Sequence, residues 1–343
     1  MHLIRRILKD FKTTGLYPEL HPFEGTSTTP HVKIQGEEYI MFGSNNYLGI
    51  CNHPEVTERT ISVLREHGLG PGGSRILCGN VEIIAGFEKK LANFVGVEDT
   101  ITFPTGYMAN TAIFQAIMGP FISTIGAPIQ ESGVIYSDEF NHATIVDGCR
   151  LTPVKKVIYK HNDLNDLKKK LSENGEEGRQ LIVSESVYST EGLLTDIPAI
   201  VEIAKQFESM LMIDDAHGIG VLGQNGGGVI KQFSLNPEKP EILMASFDKA
   251  LGTIGGFLGG KSELIDYLRI ASRPYIFSSA IPAVVAAATT AVIDIVSCHP
   301  EFLVRVQKNA ETLRNGLRKL GYQIHAPPTN LFSRIQRRPA GGL

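Results

Sequence analysis

Between residues 100 and 245, short apolar runs rich in β-branched residues alternate with segments of helical period. That alternation narrows the possible folds more than any other feature of the chain. The runs are 100–103 (TITF), 133–136 (GVIY), 155–159 (KKVIY), 180–184 (QLIVS), 209–213 (SMLMI) and 241–245 (EILMA). Between several of them lie helix-period segments, 164–173 (LNDLKKKLSE) and 197–207 (IPAIVEIAKQF) among them. Strand and helix in repetition predict an α/β fold with a mostly parallel central sheet. The runs are apolar throughout rather than every second residue, which predicts helices on both faces of the sheet. From about residue 262 the texture changes. Segments 262–272, 281–297 and 300–320 predict helices, with Pro282 and Pro300 near the starts of two of them. Residues 321–335 predict one strand of a small second domain, and the closing RRPAGGL a loose tail. The reading divides the chain into an N-terminal segment 1–45, a large domain 46–275 and a small, apparently shortened α+β domain 276–343.

Charge and cysteine usage remove several function classes. With 33 basic and 36 acidic residues the net charge is -3, which leaves no footprint for nucleic acid or an anionic membrane. Hydrophobic residues at 42% and charged residues at 20% suit a packed globular chain. Cys51, Cys78, Cys149 and Cys298 are far apart and form no C-x-x-C pair. Neither a metal site nor a disulfide framework is therefore expected, and reduced thiols fit a cytoplasmic protein. No apolar run approaches the ~18 residues that span a bilayer, so no stable membrane anchor is expected. At the N-terminus, Leu3, Ile4, Ile7, Leu8 and Phe11 recur at helical spacing among basic residues without a continuous apolar stretch, which predicts an amphipathic docking helix rather than a secretory signal, with an organelle transit peptide as the weaker alternative. Residues 68–73 match G-x-G-x-x-G, but the segment before them, 54–67, has helical period. A dinucleotide fingerprint needs a strand there, so this is a glycine-rich turn, possible lining for a substrate entrance.

Three segments carry candidate chemistry. Lys249 lies just beyond an apolar run and ahead of Gly252, Gly255 and Gly256. Burial would disfavour its ammonium form and free a nucleophilic amine; alone, the surface-lysine reading is the stronger one. Asp214 ends another run, with His217 three residues on. Ligands gather outside the carboxyl ends of strands in open α/β sheets. An acid there could bind a metal, act as acid or base, or hold a heterocyclic nitrogen; it could also merely cap a helix. His142, in Asp138-Glu139-Phe140-Asn141-His142-Ala143, again follows a run and could stack on a flat ring or serve as a structural histidine. Together the three match what pyridoxal 5'-phosphate (PLP) requires: an amine to carry the aldehyde, an anion at the pyridine nitrogen and a ring partner. A unit charge pair at ~4 Å with an effective dielectric of ~20 is worth about 4 kcal/mol, enough to keep that nitrogen protonated. Gly106 and Tyr107 precede a helix-period stretch (108–118), and the N–H groups at a helix start suit a phosphate. Ser189 and Ser246 offer hydroxyl donors.

At these residues the sequence resembles the α-oxoamine synthases, a branch of the fold-type I PLP-dependent transferases. The resemblance runs from about residue 35 to 320. It rests on Ser44-Asn45-Asn46-Tyr47-Leu48-Gly49, Gly72-Gly73-Ser74-Arg75, Asn141-His142-Ala143, Val187-Tyr188-Ser189-Thr190-Glu191-Gly192, Asp214-Asp215-Ala216-His217 and Lys249-Ala250-Leu251-Gly252. The segment from Ser272 to Ser279 is similar to that of glycine C-acetyltransferases. The resemblance implies condensation of a small amino acid with an acyl-CoA thioester, with loss of CoA and CO2, to give an α-amino ketone. It implies a homodimer with shared active sites. By motif, Lys249 forms the Schiff base with PLP and later moves the Cα proton, Asp214 pairs with the pyridine nitrogen, His142 stacks on the ring and His217 contacts the phenolic oxygen. Gly106, Tyr107, Ser189 and Ser246 hold the cofactor mainly at its phosphate, Ser278 and Ser279 reach the partner subunit's phosphate, and Asn45 and Ser74 line the substrate side. Glycine with acetyl-CoA, alanine with a pimeloyl thioester and serine with a long acyl-CoA all suit these motifs.

Two departures from the family pattern stand out. Asp248 occupies a position where the family commonly carries glycine. The family's C-terminal domain continues further and contributes an arginine to the substrate carboxylate; Arg334, Arg337 and Arg338 do not sit in that motif. The expectation is a chain that keeps PLP yet turns over poorly. Two rival readings follow: a PLP-dependent aminotransferase or lyase that needs no acyl-CoA, and a non-catalytic partner subunit.

Overall fold

The computed structural model describes residues 1–120, 132–174, 178–236, 238–324 and 336–337 of the chain. It separates into two compact units, Met1–Ser44 and Asn45–Leu343. In the first, helix α1 (His2–Thr13) leaves all five of its large apolar side chains exposed. Strands β1 (His31–Ile34) and β2 (Glu37–Ile40) form an antiparallel hairpin closed by Gln35 and Gly36. Both turn residues have positive φ, 53° and 82°, as a two-residue hairpin loop matched to strand twist requires.

The second unit opens with α2 (Pro54–His67) and α3 (Glu82–Val95), followed by β3 (Asp99–Phe103) and α4 (Gly106–Met118). Then come β4 (Gly133–Asp138), α5 (Ala143–Arg150), β5 (Lys155–Tyr159), α6 (Leu164–Asn174), β6 (Arg179–Glu185), α7 (Ile197–Gln206), β7 (Met210–Asp214), α8 (Val229–Phe233) and β8 (Ile242–Ser246). Strand β9 (Gly256–Gly260), helices α9 (Ser262–Ala271), α10 (Arg273–Ile276), α11 (Ala283–Cys298) and α12 (Glu301–Lys319), and the short strands β10 (Tyr322–Gln323) and β11 (Gln336–Arg337) complete it. All six apolar runs are strands. Among the described residues, no single helix is long and apolar enough to cross a membrane.

Seven strands form one sheet in the order β3-β9-β8-β7-β6-β4-β5. The run β8-β7-β6-β4-β5 is parallel, and β9 is antiparallel to both its neighbours. Successive residues of each strand enter opposite cores, as a two-residue period demands. Ile182, Leu211, Ile213 and Leu243 face the layer of α2, α3, α7 and α11. Leu181, Val183, Met212 and Met244 face that of α4, α5 and α9. The sheet is thus covered on both faces.

Two elements differ from the sequence reading. Strand β9 has only two large apolar residues among three glycines, so it carries no β-branched signal. Its glycines serve close packing instead: a Cβ on Gly256 would lie 2.7 Å from Gly106 Cα. The strand expected over 321–335 is observed only as Tyr322–Gln323, which pairs with Gln336–Arg337; residues 325–335, Arg334 included, lie outside the described residues, as does Arg338. Residues 68–73 follow α2 directly, so no strand precedes the glycine-rich match.

Candidate active site

The parallel strands end side by side, and their last residues supply the polar groups. Glu185 and Asp214 are register partners at the ends of β6 and β7, and Ser246 ends β8. Asp138 ends β4. Lys249 follows three residues after Ser246, in a turn closed by Phe247 N–H to Gly255 O (2.9 Å) and Gly252 N–H to Lys249 O (3.0 Å). Gly252 has φ +65°, and a Cβ there would meet Cys51 Sγ at 2.8 Å, so this position needs glycine twice over. Beneath the turn, fully buried Phe247 stacks on Phe257 (5.8 Å, 9°) and meets Phe87 edge-on (5.4 Å). Burying one such side chain contributes about 2–3 kcal/mol, so the turn stands on a rigid floor. The Lys249 amine donates to Ser246 Oγ at 3.0 Å and lies 4.0 Å from Asp248 Oδ1.

A continuous hydrogen-bond path joins the acid to the histidine. Asn110 Nδ2, on α4, donates to Asp214 Oδ2 (3.0 Å) and to Thr144 Oγ1 (2.8 Å). Thr144 Oγ1 lies 2.8 Å from His142 Nδ1. Asp214 Oδ1 accepts from Ala216 N–H (3.1 Å), and His142 N–H donates to Glu185 Oε1 (2.6 Å). Burial first, and then the neighbouring Asp214, push Glu185 well above the usual carboxylate range. His217 is pushed the other way: burial, then Lys249 and His142, hold its imidazole down at about 3. Its Nδ1 lies 2.8 Å from the Tyr47 hydroxyl. His161, after β5, joins two of the motif loops. Its Nδ1 is 2.9 Å from Asp138 Oδ1, its Nε2 is 3.0 Å from Glu191 Oε2, and its ring stacks on Phe140 at 4.4 Å.

The candidates named from sequence divide into three groups. Lys249, Ser246, Asp214, His142 and His217 come together at the strand ends, and Gly106 adjoins them: a Cβ there would lie 3.0 Å from Ser246 Cβ. Gly106 starts α4 rather than preceding it, and Thr105 caps that helix by accepting from Met108 N–H (3.1 Å). Tyr107 and Ser189 sit at the margin. The Tyr107 ring is exposed, with its hydroxyl donating to Asp147 Oδ2 (3.1 Å), and Ser189 is half-buried in the turn after β6. The rest lie on other segments. Asn45 is exposed two residues before Tyr47. Ser74 is buried with its hydroxyl unpartnered, next to the stretch containing half-buried Ser278 and exposed Ser279, through Ala280 N–H to Gly73 O (2.9 Å). Arg75, beside Ser74, makes a two-pronged buried pair with Glu88 (2.6 and 2.8 Å).

Sequence reasoning did not single out Asn110, Thr144, Glu185 or His161, nor Tyr47 as a partner of His217. The rule that drew attention to Asp214, an acid at the end of an apolar run, applies equally to Glu185. Asn110 lies one helical turn after Gly106 on a helix that is otherwise almost wholly buried, where a polar side chain is itself a signal.

The residues at the strand ends fit PLP. An amine, a buried acid and an imidazole converge there, Asn110 Oδ1 is buried without a hydrogen-bond partner, and the missing side chain of Gly106 brings a helix N-terminus against Ser246. The aminotransferase class I and II family model matches residues 37–340. The 8-amino-7-oxononanoate synthase of Thermoanaerobacter pseudethanolicus is 36% identical over 323 residues, 94% of this chain and 78% of that protein. The serine palmitoyltransferase of Sphingobacterium spiritivorum is 35% identical over 320 residues, 93% of this chain and 77% of that one. Among solved structures, a serine palmitoyltransferase variant from S. paucimobilis with PLP and myriocin superposes with a TM-score of 0.84 at 30% identity, covering 93% of this chain and 80% of that one. The chain belongs to the class I and II aminotransferase family, with its fold-type I architecture. Its relatives place it among the α-oxoamine synthases, PLP-dependent acyltransferases.

Proposed function

We propose that this chain is a cytoplasmic, homodimeric enzyme that condenses a small amino acid with an acyl-CoA thioester. The new bond joins the amino acid's Cα to the acyl carbonyl carbon; the C–S bond breaks and CoA leaves as its thiol; the carboxyl group leaves as CO2. The observation that carries the reading is the convergence of Lys249, Asp214, His142 and His217 at adjoining strand ends, with Asp214 and His142 joined through Asn110 and Thr144. PLP, when bound, supplies an electron sink for the carbanion at Cα.

The side chains divide the remaining work. Lys249 would attach the cofactor through its amine and would move the Cα proton. Asp214, braced by Asn110 and Ala216 N–H, accepts the hydrogen bond of the ring nitrogen. His142, fixed by Thr144 and by its own N–H to Glu185, would stack on the cofactor ring. His217, neutral at pH 7, offers a hydrogen bond to the phenolic oxygen. The α4 N-terminus at Gly106 and Tyr107, with Ser189 and Ser246, holds the phosphate, to which Ser278 and Ser279 of the other subunit add hydroxyls. Asn45 and Ser74 line the substrate side.

Borohydride reduction of the PLP-treated protein followed by peptide mapping tests the attachment, and an acyl-CoA panel with thiol release as readout tests the reaction. The expected result is a reduced adduct on the peptide containing Lys249, absent from Lys249→Ala, with thiol released only when both amino acid and acyl-CoA are present. Release of a keto acid or aldehyde without acyl-CoA supports an aminotransferase or lyase instead. A protein that stays colourless in excess PLP supports a non-catalytic partner subunit.

A further inference from the structure

We infer that Tyr47 fixes the tautomer of His217: its hydroxyl donates to Nδ1, leaving the ring's single proton on Nε2 and making His217 an N–H donor toward the space beside Lys249. The contact is 2.8 Å between groups 170 residues apart in sequence, with ring centroids 6.2 Å apart and planes tilted by 32°. It is built by tertiary structure alone. The segment carrying Tyr47 is held against the Lys249 turn by Cys51, whose sulfur packs on Gly252.

Two arguments set the direction of the hydrogen bond. A phenol O–H is a stronger acid than a neutral imidazole N–H, and an imidazole nitrogen is a stronger base than a phenol oxygen, so O–H···N is the favoured arrangement. In addition, the Tyr47 hydroxyl has no other acceptor among the described residues, so reversing the bond would leave its proton unmatched in a half-buried position. The electrostatics agree. Burial, then Lys249 and His142, keep the His217 ring uncharged at neutral pH, which leaves it one proton to place. Burial, then Asp248, keep the Tyr47 hydroxyl protonated and hence able to donate. A neutral histidine with free Nδ1 could present either a donor or a lone pair to the site; Tyr47 removes that choice. The inference rests on the PLP reading only for what the Nε2–H meets, the phenolic oxygen. Tyr47 is thus a positioning residue, acting through His217.

Long-range proton–nitrogen NMR spectra of protein labelled with 15N-histidine distinguish the two tautomers, in both PLP-loaded and PLP-stripped samples. The expected result is an Nε2–H pattern for His217 in both, assigned by its disappearance in His217→Gln. In Tyr47→Phe the pattern becomes a mixture, and the dissociation constant for PLP rises about threefold to tenfold, as loss of one oriented hydrogen bond implies. An Nδ1–H pattern in the unaltered protein overturns the inference. So does a Tyr47→Phe protein that keeps a pure Nε2–H pattern. If Tyr47→Phe does not fold, the spectrum of the unaltered protein still decides. Failure of PLP to label Lys249 would instead remove the proposed function, while the PLP-stripped spectrum would still settle the role of Tyr47.

Discussion

Asp215 adjoins Asp214, yet its own contacts point to a part in stability. Its side chain is buried at 1% exposure, 2.5 Å from Ser186 Oγ and 2.8 Å from Val229 N–H. Burial pushes its carboxyl up to about 7 against these two bonds, with Asp214 adding to the rise. In the unfolded chain an aspartate titrates near 3.9. Between those values the folded chain holds one proton more than the unfolded chain, so stability is fully present below about pH 4 and is lost as pH rises through 7. One proton corresponds to about 1.4 kcal/mol per pH unit, or roughly 2–3 kcal/mol between pH 5 and 7. Asp215→Asn removes the charge while keeping the geometry: the amide oxygen accepts from Val229 and the amide nitrogen donates to Ser186. Glu185 is shifted in the same direction and adds to the slope in both proteins, so the difference between them isolates Asp215. Urea unfolding at one protein concentration and at pH 5, 6, 7 and 8 gives the two stability profiles. The substituted protein should fall less steeply by about one proton's worth. Parallel profiles from pH 5 to 7 would refute the reasoning.

Two further sites, Arg75 and Gly256, test the packing around the strand ends. Arg75→Ala strands the buried Glu88 carboxyl, which also accepts from Thr102 N–H (2.9 Å); it should cost about 3–5 kcal/mol and lower Tm by on the order of 10 °C. The double substitution Arg75→Met with Glu88→Leu should recover most of that loss in the same melts. Gly256→Ala places a methyl group 2.7 Å from the backbone of Gly106. Forcing the start of α4 away from β9, and so from Ser246 beside it, should weaken PLP binding at least tenfold, measured by absorbance titration, with the far-ultraviolet circular dichroism unchanged.

The elements that sequence could reveal are those built from local pattern. The apolar runs at 133–136, 180–184 and 209–213 are strands because each residue has a core on its side of the sheet. Helix α2 is legible from Pro54 and its period. Strand β9 was not legible, because its glycines answer to the backbone of α4 rather than to any pattern of their own. The same division holds at the site. Lys249, Asp214 and His142 could be named because each lies at or just after the end of a strand, where the proposed PLP chemistry would need them. Asn110, Thr144 and Tyr47 could not, because their importance lies in contacts between residues 34, 104 and 170 positions apart. Arg75 was legible as part of a motif but not as the partner of Glu88, since nothing in the spacing shows that the two side chains meet.

The long span between Tyr47 and His217 also bears on the order in which the molecule is made. Drawing together the ends of so long a chain segment is entropically unfavourable until the intervening parallel strands have paired, and such pairing is slow. A ribosome-bound chain that has not yet released residue 249 has neither the amine nor the floor beneath it. With the proposed attachment to Lys249, the cofactor's colour would appear only after residue 249 has joined the strand ends, and would so mark folding as well as chemistry.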